Sequence, residues 1–160
     1  MTDFDSIFSE FNDADPTAVS TRTPKLDVEG EHVVEIERVM MKDSDLNSAV
    51  LLIVEFRPVA STHESIKLGQ PYSWTCDVTK TFGQNKVGLN HAKQFLAAAL
   101  GMDAESPKAM ALGGKQIKEA VSDENPLAGV RVAVHTNPRV SKEKRPWTMH
   151  NWSSVEQKAA

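Results

Sequence analysis

The chain has 160 residues, 40% apolar and 25% charged, with 18 Lys and Arg against 22 Asp and Glu. That length and balance fit one globular domain able to bury a core without staples. No apolar run approaches the ~18 residues of a membrane span, the first residues lack the basic and apolar regions of a secretory signal, and Cys76, the single cysteine, excludes an internal disulfide or a CxxC site; a cytoplasmic protein without membrane contact is expected.

Residues 1–20 carry Asp3, Asp5, Glu10, Asp13 and Asp15 and no cation, so the remainder is close to neutral. At the start of this segment, Phe4, Ile7, Phe8 and Phe11 fall at i, i+3, i+4 and i+7. That spacing predicts one apolar stripe on a short helix. Asp15-Pro16 and Thr21-Arg22-Thr23-Pro24 then read as a linker. Residues 1–24 are thus expected to be an acidic, aromatic segment apart from the body at 25–155. Its stripe either folds back on the core or docks on a partner groove or on the domain's own basic face.

The body opens with a strand, in which Val34, Ile36 and Met40 alternate with Glu35, Glu37 and Val39. A turn-rich loop follows, and Ala49 to Phe56 is a second β-rich run, stopped by Pro58. Tyr72, Trp74, Cys76 and Val78 alternate with Ser73, Thr75 and Asp77 in a third. The period then lengthens: Leu89, Ala92, Phe95, Leu96, Ala99 and Leu100 share one helical stripe ending at Gly101. Ser106-Pro107 marks a second helical start, broken by Gly113-Gly114, and a further piece covers 115–121. Val130 to His135 reads as strand four, with its valines inward and Arg131 and His135 outward. The loop 136–146 is basic, Trp147 to Trp152 is strand five, and 156–160 is expected to be a frayed tail.

Three strands, a helical insertion and two strands (βββ-α-ββ) is the order of an OB-fold, a five-stranded barrel whose strand 2–3 face and 1–2 and 4–5 loops bind oligonucleotides. The fold class expected is therefore mainly β with a helical insertion. Charge placement agrees with a polyanion partner, because local fields and not net charge steer binding. Lys80, Lys86 and Lys93 lie where 78–102 has no carboxylate, and Arg131, Arg139, Lys142, Lys144 and Arg145 share 125–147 with Glu143 alone.

Single-stranded nucleic acid needs such cations plus flat side chains for stacking, worth ~1–3 kcal/mol per base. Candidate platforms are Tyr72, Trp74, Phe82, Trp147 and Trp152. Tyr72 and Trp74 share a face with Cys76, which also reads as a core face. Trp147 and Trp152 have opposite parity, so an undistorted strand exposes one of them; Trp152, which shares its face with Thr148 and His150, is the one expected outside.

Catalytic patterns are poor. Between Gly83 and Gly88 lies a Walker-like spacing, but Leu89-Asn90 replaces the required Lys-Ser/Thr. His32, His63, His91, His135 and His150 show no HxxxH spacing, and Ser73 and Cys76 lack nucleophile-elbow glycines. No enzyme, metal or cofactor is expected.

The strand starting at Gly30, the Lys80-Thr81-Phe82 segment leading to the helix through Phe95 and Leu96, Asn125-Pro126-Leu127-Ala128-Gly129 before strand four, and the final Trp147…Trp152 strand together resemble the small phage-encoded single-stranded DNA-binding proteins of replication and recombination. The likeness spans roughly residues 28–153. It implies an OB-fold that coats single-stranded DNA without sequence choice, cofactor or catalysis, in the host cytoplasm and within a replication machine. Such proteins usually carry their acidic, aromatic-tipped tail at the C-terminus; here the acidic aromatic segment is N-terminal. Expected partners are single-stranded DNA, replication or recombination proteins reached through the N-terminal segment, and a further copy of the chain. The alternative reading is an adaptor or structural module whose working element is the Phe4/Ile7/Phe8/Phe11 stripe.

Overall fold

A computed structural model of the chain describes residues 24–43, 49–81 and 84–155, together with Asp5 and Phe8. Phe4, Ile7, Phe11 and Phe82, the loop at 44–48 and the tail at 156–160 lie outside the described residues.

Five strands form one antiparallel sheet: β1 (Gly30–Asp43), β2 (Val50–Ser61), β3 (Tyr72–Asp77), β4 (Arg131–Val140) and β5 (Pro146–Ser154), in the spatial order β3-β2-β1-β4-β5. Between β3 and β4 come α1 (Val87–Ala99), α2 (Pro107–Met110) and α3 (Gly114–Ala120). The mainly β class with a helical insertion is therefore observed, and so is the element order. No helix among the described residues is long and apolar enough to cross a membrane.

β1 organises the sheet. Residues His32 to Asp43 pair with β2, while residues Gly30 to Glu35 pair with β4. Two irregularities interrupt its ladder with β2, one on each strand. One lies between Ile36 and Arg38, where Glu37 is the extra residue on β1. A bulge moves the following side chains to the opposite face, so Val34 and Ile36 are followed inward by Val39 rather than Met40. The plain alternation expected through Met40 is corrected accordingly. The other irregularity lies between Val33 and Val34, opposite Pro58 and Ala60. A proline cannot donate to the ladder and is accommodated at such a defect, so β2 continues past Pro58 to Ser61 instead of stopping.

β3 and β5 are the outer strands, and α1 and a short strap cover the gap between them. Phe95 of α1 is fully buried, with its ring 5.8 Å from Trp74 of β3 and 5.0 Å from Trp152 of β5. Gln94 Oε1 accepts the Trp152 backbone N–H at 3.0 Å, satisfying a donor on this outer strand. Helix α1 starts close to the end of β3 because Gly88 has no side chain: a Cβ there would lie 1.9 Å from the Asp77 carbonyl oxygen. The glycine of the Walker-like spacing thus serves packing. The expected ends of the helical region also appear. Ser106 Oγ accepts the Ala109 N–H at 3.2 Å with Pro107 next in chain, and Gly101 takes φ 74°, as a C-terminal glycine does.

The strap runs through 24–28. Ser73 of β3 donates its N–H to the Pro24 carbonyl at 2.9 Å, and Leu26 enters the core. Thr136 Oγ donates to the Val28 carbonyl at 2.6 Å, so it accepts from His32 Nε2, 2.8 Å away. His32 Nδ1 in turn lies 2.8 Å from Ser61 Oγ. This buried chain ties β2, β1, β4 and the strap together, which fixes the strap as one wall of the site.

Candidate nucleic-acid groove

The β4–β5 hairpin is longer than the sequence suggests. Its strands continue to Val140 and from Pro146, so the basic loop narrows to 141–145. Ser141 organises that turn: its N–H donates to the Arg145 carbonyl at 3.0 Å, and its Oγ accepts the Arg145 N–H at 3.1 Å. Lys144 has φ 61°, a left-handed conformation that favours glycine. Lys142, Lys144 and Arg145 are all exposed on this turn. Arg145 lies 3.7 Å from Glu143, but both side chains are largely in solvent, where such pairs contribute little.

Beneath the hairpin a groove of about 730 Å³ separates it from β3 and the strap. Ser73, Trp74 and Thr75 form one side, Lys25 and Asp27 of the strap an end, and Pro138, Arg139, Trp147 and His150 the other side. Arg139 sits directly across the ladder from Trp147. Directly opposed residues share a face, so a guanidinium and an indole stand side by side. Trp147 is 43% exposed.

Trp152 is the reverse of what was expected, being 3% exposed. It pairs with Val134, whose side chain faces the core, and a cross-strand partner must face the same way. The parity relation between the two tryptophans holds; the face assigned to each is corrected. Tyr72 and Trp74 are also corrected as stacking platforms. Both are buried, because β3 turns them onto Phe56, Phe95 and Trp152, and Trp74 shows only a margin to the groove.

The other expected cations separate from this site. Arg131 lies at the far end of β4, 3.5 Å from Glu35 on β1. Lys93 Nζ donates to the Met110 carbonyl at 2.6 Å, bridging α1 to α2 on the helical side. Lys80 and Lys86 are exposed in the connection from β3 to α1 and do not line the groove. Lys25, by contrast, was missed. The signal for it was the charged–apolar alternation Lys25-Leu26-Asp27-Val28 just after Pro24.

His150 makes the groove wall sensitive to acid. Its Nδ1 lies 3.1 Å from the Thr148 carbonyl, which can only accept, so the ring proton sits on Nδ1. Burial outweighs that hydrogen bond and lowers the pKa from 6.5 to about 4; His32, His91 and Lys25 add to the lowering. His150 is therefore neutral at pH 7 and adds no charge to the groove. The unfolded chain binds this proton more readily than the folded one, so His150 costs stability as pH falls from 6.5 towards 4, by about 3 kcal/mol in full. Urea midpoints at pH 7 and pH 4.5 should diverge in the parent and converge in His150→Gln by most of that amount. Equal acid sensitivity in both proteins would contradict the assignment.

Cys76 is buried, and desolvation, reinforced by Asp77, raises its pKa to about 11. It is thus a protonated core thiol, with its Sγ 3.4 Å from the Gly88 carbonyl. Glu35 and Glu37 pair with Arg131 and Arg57. Among the described residues, no three His, Cys, Asp or Glu side chains gather as a metal site would require. No protein-family model matches the chain, and no curated protein matches it.

Proposed function

We propose that this chain is an OB-like domain that binds single-stranded DNA without sequence choice, acting without cofactor or catalysis in phage-type replication or recombination. The observation that carries this reading is the juxtaposition of a half-exposed indole, Trp147, with Arg139, on a groove under a turn bearing Lys142, Lys144 and Arg145. Stacking platforms beside a cationic track suit bases and phosphates irrespective of sequence. Two features of the fold support the OB-like part. The long β1 is shared between β2 and β4 with the helix after β3, and β3 and β5 come together through their aromatic side chains. The groove lies on the β4–β5 hairpin and β3, as oligonucleotide sites of that fold do.

Titration with a thirty-base oligo-dT, followed by tryptophan fluorescence at two salt concentrations, tests the reading. Quenching that weakens with salt is expected. Of the three tryptophans, Trp74 and Trp152 are buried, so Trp147→Phe should abolish the quenching while retaining most of the affinity, because phenylalanine still offers a stacking face. Absence of both quenching and a gel shift at low salt would reject the proposal.

A further inference from the structure

On the helical side, α1 and α3 frame a second cleft of about 220 Å³, lined by Leu89, Ala92, Leu96, Leu112 and Ile117, with the backbone of Gly113 and Gly114 closing one edge. Its lining is almost wholly apolar, and Leu89 is 48% exposed there. Lys93, which also donates to the Met110 carbonyl, lines its edge, and Lys115 and Lys118 are exposed on α3 to either side of Ile117 in sequence. No salt bridge among the described residues engages them. An apolar floor with a basic rim between two helices fits the apolar stripe of an acidic amphipathic helix, anchored at i, i+3, i+4 and i+7.

The chain encodes such a segment. Residues 4–11 place Phe4, Ile7, Phe8 and Phe11 at that spacing, and residues 1–20 supply five carboxylates and no cation. We infer that the cleft receives the N-terminal segment of a second copy. Phe8, the one described member of the stripe, is 66% exposed, so its own chain does not cover it. The segment is tethered by residues 12–23 to Pro24, which is fixed on β3. Those twelve residues reach up to ~40 Å when extended, enough to pass to a neighbouring molecule. A contact between the tail of one molecule and the cleft of the next is head-to-tail, so it propagates into chains or rings rather than ending at a dimer. The inference needs no nucleic acid and stands or falls separately from the groove.

Sedimentation velocity of the full chain across a range of concentrations at low salt should show association that grows with concentration and weakens in 0.5 M salt. Two variants should each raise the association constant's midpoint concentration at least tenfold. One is the triple change Phe4→Ser, Phe8→Ser and Phe11→Ser; the other is Leu89→Glu, at an exposed position that would confront the acidic segment with a like charge. A chain that stays monomeric throughout, including one whose tail docks on its own cleft, overturns the inference. So does association that neither variant changes.

Discussion

Replacing Lys142 and Arg145 by Ala together with Lys144 by Gly should weaken binding to oligo-dT about 100-fold at 0.1 M salt and flatten its salt dependence. The reasoning is counterion release: each phosphate contact on a single strand contributes a slope of about −0.7 in log K against log salt. Taking roughly 1 M salt as the point where this contribution vanishes, one contact is worth about fivefold at 0.1 M, and three about 100-fold. The slope should fall by about 2. Because the effect acts on phosphates, it should be the same for dT, dC and mixed sequences. Folding should survive the change, since the turn is held by backbone groups and by Ser141 Oγ rather than by the three substituted side chains. At position 144, where φ is 61°, glycine should even relieve about 1 kcal/mol of backbone strain. A variant that binds with the parent's salt slope would remove the hairpin turn from the site. Changing to Ala the residues Lys80, Lys86 and Lys93, which lie on the connection from β3 and on α1 and not on the hairpin beside Trp147 and Arg139, should leave the slope nearly unchanged.

The contrast between those two groups of lysines shows what could be read in the sequence. Local periodicity identified all five strands and α1, because alternation and the 3.6-residue stripe are written in neighbouring residues. Turn chemistry likewise marked Gly101 and Ser106. Features that depend on pairing were less visible. Glu37 gives no local sign of being a bulge, and Pro58 looks like a stop until the extra residue beside it on β2, Val59, is known. Charge clusters along the chain suggested two basic regions, but of those cations only Arg139 of the hairpin lines the groove, with Lys142, Lys144 and Arg145 exposed on the turn beyond it; Lys93 is committed to the Met110 carbonyl.

Trp147 and Trp152 are the most instructive case. Their opposite parity was legible, and so was the inward direction of Val132 and Val134. What was missing was the hairpin register that sets Trp152 opposite Val134 and Trp147 opposite Arg139. A turn of five residues at 141–145 would have supplied it, but the strand propensity of Asn137-Pro138-Arg139 is poor and hid the extension of β4. Tertiary pairing with β5 outweighs that local preference.

Phe95→Ala should cost about 3–5 kcal/mol, the usual range for removing a phenylalanine from a packed core. Phe95 is fully buried and touches both outer strands through Trp74 and Trp152. These rings link the two outer strands of the open sheet, with Phe56 set edge-on to Trp152 at 6.1 Å. Truncation therefore opens a cavity between outer strands that no ladder joins. Since domains are stable by roughly 5–15 kcal/mol in all, the variant should lie near the edge of folding, and its loss should be read from urea midpoints at unchanged m-value. Phe95→Met, which keeps much of the volume, should retain most of the stability while leaving β3 and β5 less well fixed. Amide exchange should then accelerate first in those two strands and not in β1. Because the same two strands carry Trp74 and Trp147, the methionine variant should also bind oligo-dT more weakly, although residue 95 never reaches the groove. Uniform acceleration across the sheet would instead mean that the aromatic bridge has no local role in holding the two walls together.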